Sequence, residues 1–360
     1  MFNLNAYRRK DGRWEVRIYM KCGENGKRQY LSFYGKTKEA AISKAAAFIQ
    51  PEEQSSVTEM TVKELANDYL SVKSRLLKES TVANYRMKLE KHILPALGDF
   101  SVSSVKAQNV YAFMEKLRNE GLSERYIADN IVLVRSLLRY ASCNYGVRNH
   151  SDRIIMPKRG KPEVAVLSES EQKKLLKYIK NHETLSTLGV AVSIYTGIRI
   201  GELCALQWKD IEFEKRTLTV RKTIQRIQCN DENKRTKLII AEPKSQSSVR
   251  TIPIPECLFA FLCKFVGNDD EYILSGTSKP VEPRTMQNRF ARILKNANLP
   301  SVHFHSLRHA FATRCVSLGF DVKTLSEILG HSSVELTLNR YVHSSMERKI
   351  ECMNKLKLAA

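Results

Sequence analysis

None of the eight cysteines stands in a C-x-x-C pair; they lie at Cys22, Cys143, Cys204, Cys229, Cys257, Cys263, Cys315 and Cys352. Such scatter argues against a disulfide framework and against a cysteine zinc site, and it fits a reducing compartment. The opening MFNLNAYRRK lacks the apolar stretch of a secretion signal, and no run is long and apolar enough to span a bilayer. A cytoplasmic setting without a membrane partner is expected. A Walker-type phosphate loop and clusters of carboxylates are absent too, so neither a nucleotide cofactor nor a metal is expected. Internal repeats and low-complexity tracts are missing. Acid is also in short supply: 38 Asp and Glu face 59 Lys and Arg, a net charge of +21. A field of that sign suits a polyanion, most commonly nucleic acid, the plainer alternative being a basic protein with no such partner.

At 360 residues with 42% hydrophobic content, the chain can fill two or three domain cores. Its grammar changes along its length. In RWEVRIYM, Trp14, Val16, Ile18 and Met20 alternate with Arg13, Glu15, Arg17 and Tyr19, the period of a half-buried strand. Asn25-Gly26 marks a hairpin to KRQYLSFY, Asp11-Gly12 marks an earlier turn, and KTKEAAISKAAAFIQ is helical by its alanines. Residues 1–52 are thus expected to form a three-stranded sheet plus a helix. One sheet face is apolar. The other carries arginine and tyrosine, and either enters a DNA groove or is solvated.

PEEQSSV at 51–57 reads as a linker, and residues 58–150 as a four-helix domain opened by the capping box Thr61-x-x-Glu64. Lys73, Arg75, Lys78, Arg86, Lys88 and Lys91 crowd its first two helices. Residues 151–164, basic and carrying two prolines, read as a second linker. The third domain, 165–360, starts with the capping box Ser168-x-x-Glu171. It is mainly helical around a strand-rich insert (IEFEKRTLTVRKTIQRI, then TKLIIAEPKSQSSVRTIPI). The fold class expected is a multidomain α+β chain.

Four stretches of that third domain set charged groups among apolar ones. In YTGIRIGELCALQW, Arg199 is either half of a structural pair with Glu202, three residues on, or a ligand-holding guanidinium that Glu202 orients. In AEPKSQSSVRTIPI, Lys244 sits on a polar turn and by itself reads as an exposed lysine, with Lys237 and Lys222 nearby. In HFHSLRHAFATR, His305 and Arg308 share one helix face; the arginine fork matches two phosphate oxygens and the imidazole exchanges protons near neutral pH. In LGHSSVELTLNRYVH, Ser332-x-x-Glu335 caps a helix, with His331 before it and Tyr341 in its third turn, a position where tyrosine is ordinarily packing.

Taken in order, TGIRIGEL, the lysine turn, HSLRH, LGHSS and LNRY resemble the tyrosine recombinase (phage integrase) family, and the likeness covers the whole chain. The resemblance implies an arm-site DNA-binding domain at 1–52, a core-binding domain at 58–150 and a catalytic domain at 165–360. It implies that Tyr341 is the nucleophile, that Arg199, Lys244, His305, Arg308 and His331 activate the phosphate, and that Glu202 supports Arg199. Arg13, Arg17, Tyr19, Lys73 and Arg86 are the expected DNA contacts. The implied activity is site-specific cleavage and rejoining of double-stranded DNA at core and arm sites through a 3′-phosphotyrosine, integrating and excising a mobile element. A type IB topoisomerase, with similar chemistry, is the alternative. Further implications are a tetramer on DNA, an excisionase and a DNA-bending host factor as helpers, and a bacterial, nucleoid-associated location. The amphipathic tail after Tyr341 would dock either on a neighbouring protomer or on its own domain.

Overall fold

The computed structural model describes residues 6–9, 11–22, 28–49, 60–147, 154–157, 165–231, 234–241, 249–331, 333–335 and 350. The chain divides into two compact units, one of residues 1–77 with 88–159, the other of 78–87 with 160–360. Among the described residues no helix is long and apolar enough to cross a membrane.

The first unit opens with the expected sheet, β1 (Ala6–Arg8), β2 (Trp14–Cys22) and β3 (Arg28–Gly35), antiparallel in that order, followed by α1 (Lys38–Ile49). Val16, Ala41 and Ala45 are fully buried, with Trp14 and Phe33 against them, so the apolar strand face is the one that receives α1. On the other face Glu15 sits opposite both Tyr7 and Tyr34, and Arg17 opposite Ser32.

Helices make up the rest of this stretch of chain. α2 (Val62–Leu76) begins at Thr61, whose hydroxyl accepts from the Glu64 N–H while the Glu64 carboxylate accepts from the Thr61 N–H. Next come α3 (Glu79–Lys88), all but its last residue counted with the second unit, a π-helical turn (Leu89–Ile93) and α4 (Leu94–Leu97). Pro95 supplies the reason for the π-helical turn. It has no N–H for the Lys91 carbonyl and its ring crowds that carbonyl, so the turn before it widens. α5 (Ala107–Asn119) and α6 (Glu124–Tyr145) complete the set. Asp68 on α2 accepts hydrogen bonds from the Tyr140 and Tyr145 hydroxyls at 2.7 and 2.6 Å, which ties α2 to α6.

The second unit is built round α8 (Leu185–Thr196), reached from α7 (Glu169–Asn181). LSTLGVAVSIYT is apolar nearly all round, and nine of its residues are buried. Such a helix belongs at the centre of a core. α9 (Ile200–Cys204), α10 (Glu256–Leu262), α11 (Pro283–Asn296) and α12 (His305–Ser317) all pack on it. The strand insert divides in two. β4 (Ile211–Glu212), β5 (Thr217–Val220) and β8 (Arg250–Pro253) form one antiparallel sheet, and β6 (Thr223–Asp231) pairs with β7 (Lys234–Ala241) as a hairpin. α13 (Val322–Leu329) follows α12.

Candidate active site

Three backbone segments bring the site together: the α8–α9 corner, the first turns of α12 and the end of α13. Gly197 caps α8 in the left-handed region (φ 65°), where a side chain would also strike the Phe311 ring. That sharp stop places Arg199 at the N-cap of α9. Its Nη1 donates to Glu202 Oε1 at 2.8 Å, its backbone N–H to Glu202 Oε2 at 2.9 Å, and its Nη2 to the Gly330 carbonyl at 3.1 Å. Arg199 is 38% exposed, whereas Glu202 is almost wholly buried. Glu202 thus fixes one edge of a guanidinium that still reaches solvent.

Arg308 is 2% exposed. Its Nη1 donates to the Gly197 carbonyl and its Nη2 to the Leu329 carbonyl, both at 2.8 Å. These bonds use two of the five N–H groups of the fork and set its plane. They also link Arg308 to the residue two before Arg199 and to the residue two before His331. α13 ends at Gly330 (φ 64°), from which His331 leaves half-buried, its N–H on the Ser326 carbonyl. His305, at the start of α12, is exposed, and its ring meets that of buried His309 edge-on, 4.9 Å between centroids. Phe304, Leu307, Ala310 and Ala312 bury the rest of this helix start, so the apolar part of HFHSLRHAFATR is core and His305 is its outward group.

Arg199, His305, Arg308 and His331 are thus described together with Glu202. Lys244 and Tyr341 lie outside the described residues, as do Ser332 and residues 336–349. Lys244 falls on the connection between β7 and β8. Of its neighbours, exposed Lys237 forms an ion pair with Glu79, and Lys222 is exposed between β5 and β6.

One residue of the site escaped the sequence reading. Arg250, on β8, is buried and donates from Nη2 to Glu202 Oε2 at 2.8 Å and from Nε to the Ile328 carbonyl at 2.6 Å. The signal was there in VRTIPI: Arg250 shares the strand parity of Ile252 and Ile254, both inward. An arginine at an inward position needs a buried partner. Burial alone would raise the Glu202 pKa; the Arg250 guanidinium, then Arg199, outweigh it and hold the carboxyl below its ordinary value.

The expected DNA contacts are dispersed. Arg17 Nε donates to Glu15 at 2.8 Å and Arg13 Nη2 to Asp11 at 2.8 Å. Tyr19 is on β2, opposite Tyr30. Lys73 lies over the Tyr69 ring on α2, and Arg86 is half-buried on α3. Glu15, read as part of an open polar face, is 1% exposed beneath Arg9, Arg17 and Tyr34. Its hydrogen bond to Arg17 outweighs burial and, with bonds from Ser32 and Tyr7, brings its pKa from 4.5 to about 2. A carboxyl with a depressed folded pKa stabilises the fold above its unfolded pKa, and that contribution fades as pH falls through the folded one. The sheet module is therefore expected to lose stability between about pH 4.5 and about pH 2. Fluorescence melts of a Trp208→Phe chain, in which Trp14 reports alone, should show that slope, and Glu15→Gln should flatten it. An unchanged slope in Glu15→Gln would place the acid sensitivity elsewhere.

Among the described residues no three His, Cys, Asp or Glu side chains gather as metal ligands. The described groups are the partly exposed guanidinium of Arg199, the buried guanidinium of Arg308, the exposed imidazole of His305 and half-buried His331.

The phage integrase family matches residues 165–348, and its N-terminal SAM-like domain matches residues 61–118. The chain belongs to the phage integrase family. It is a tyrosine recombinase, an enzyme class that cleaves and rejoins DNA. Among relatives, a XerC-like tyrosine recombinase of Caldanaerobacter subterraneus is 28% identical, covering 96% of this chain and 97% of its own. The ICEBs1 integrase of Bacillus subtilis is 23% identical over 76% of each chain. Among solved structures, the Tn1549 transposon integrase in complex with a circular intermediate DNA superposes with a TM-score of 0.70 at 23% identity. It covers 83% of this chain and 100% of that one. A lambda integrase dimer bound to a core site gives 0.60 at 20% identity, over 95% and 96%. These likenesses support the fold expected from the sequence, a multidomain α+β chain. They favour recombination over the topoisomerase alternative.

Proposed function

We propose that this recombinase integrates and excises a mobile element through a 3′-phosphotyrosine, with Tyr341 as nucleophile. The observation that carries the proposal is the backbone linkage of Arg308 to both Gly197 and Leu329, which ties it to the segments that carry Arg199 and His331. A phosphodiester placed there meets two guanidinium groups on its non-bridging oxygens, which stabilise the charge that builds as the phosphorus becomes five-coordinate. The phenol oxygen forms the new P–O bond and gives its proton to His305; the bond to the 5′-oxygen breaks, and Lys244 protonates that oxygen. His331 donates to a non-bridging oxygen. A 5′-hydroxyl from a partner strand reverses the sequence and rejoins the DNA.

Residues 1–52 take arm sites, through Arg13, Arg17 and Tyr19. Residues 58–150, with Lys73 and Arg86, hold the core site, and residues 165–360 carry out catalysis. Two duplexes and four strand cuts call for a tetramer on DNA. An excisionase and a DNA-bending host factor complete the partners, in the bacterial cytoplasm at the nucleoid. The Tn1549 and lambda integrase complexes with DNA and the ICEBs1 relative support this reading.

The test uses the full chain and DNA spanning the ends of the element that carries it. Recombinants between two sites, with a covalent protein–DNA adduct at the crossover, are expected. Fast relaxation of plasmids that lack the sites, without recombinants, would favour the topoisomerase alternative.

A further inference from the structure

A closed circuit of hydrogen bonds runs behind the site. Arg199 bonds to Glu202, Glu202 to Arg250, Arg250 to the Ile328 carbonyl, and the Gly330 carbonyl, two residues on, returns to Arg199. It joins three elements far apart in sequence: the start of α9, strand β8 and the end of α13. Gly330 is held between the two guanidinium groups. Its carbonyl accepts from Arg199, and a side chain at this position would come within about 3 Å of three Arg250 side-chain atoms.

We infer that Arg250 is a positioning residue for DNA cleavage, fixing through Glu202 and the Ile328 carbonyl where Arg199 and His331 stand. The inference rests on the assignment of Arg199 and His331 to the scissile phosphate. Glu202 has one guanidinium on each oxygen, and Arg199 is partly exposed while Arg250 is not. The geometry of Arg199 is therefore only as firm as the inner partner that immobilises Glu202. On the other side Arg250 pins the last turn of α13, from which His331 departs. Lysine cannot replace it, since one ammonium on a flexible stem does not reproduce a planar fork directed at a carboxylate and a carbonyl together. A displacement of about 1 Å at a catalytic group costs on the order of a hundredfold in rate.

The experiment measures single-turnover cleavage of a suicide duplex from the element junction, with DNA affinity and melting temperature determined alongside. Arg250→Gln and Arg250→Lys are each expected to cleave about 10- to 100-fold more slowly at saturating DNA, with affinity within about threefold of the parent. A second substrate carries an uncharged methylphosphonate at the scissile position. Because the neutral group asks less of Arg199, the deficit of the Arg250 variants should shrink on it several-fold, which a general loss of folded protein would not do. If the parent chain cleaves and either variant, folded, keeps its rate within twofold, Arg250 has no positioning role. A deficit equal on both substrates also overturns the inference. Failure of the parent chain to form any adduct would instead overturn the assignment of Tyr341 chemistry.

Discussion

Tyr341→Phe is expected to abolish the covalent protein–DNA adduct while leaving DNA affinity within about twofold, because it removes one oxygen and nothing else. A phenol has a pKa of about 10, so attack near neutral pH depends on a base and a cationic surround that only this oxygen exploits. Phenylalanine packs the same volume without a nucleophile. Loss of a nucleophile from a working set costs roughly ten-thousand-fold or more in rate, since the remaining groups act only through it. Gel separation of adducts on a suicide duplex, with a binding titration in parallel, measures both quantities. Adduct formation surviving in Tyr341→Phe would move the nucleophile to another side chain and remove the reason for the LNRY assignment.

Arg308→Gln is expected to be nearly as damaging, and by two routes. Cleavage should fall by about a hundredfold to a thousandfold through loss of a donor to the transition-state oxygens. The fold should weaken as well, because the Gly197 and Leu329 carbonyls lose the guanidinium that bridges them. A buried acceptor left unsatisfied costs about 1–3 kcal/mol. A glutamine amide is too short to serve both. Arg308→Lys keeps the charge but has no planar fork, so it should recover only part of either loss. Single-turnover cleavage read beside thermal melts separates the two routes. A Gln variant that melts with the parent and cleaves within threefold of it would show the two carbonyl bonds to be incidental.

Much of this was legible one residue at a time. The capping boxes at Thr61 and Ser168 are local signals, written in neighbouring residues, and α2 and α7 begin where they point. Arg199 and Glu202, three residues apart, were readable as a pair. The π-helical turn was not, although Pro95 is its cause, because a proline in a helical pattern does not say whether the chain will break or widen. Glu15 looked like one more polar residue on an open face; its burial depends on Arg9, just past β1, Arg17 of β2 and Tyr34 of β3 closing over it.

Chemistry and order of parts were settled along the chain: which residue types can bind a phosphate, in what succession, on helices of which polarity. Who holds whom was settled in space. Arg308 reaches backbone carbonyls 111 and 21 positions away, and Arg250 meets a glutamate 48 positions away, on partners that no local pattern marks. Carbonyl groups are the same at every residue, so only the packing of α8, α9, α12 and α13 on one another can choose among them.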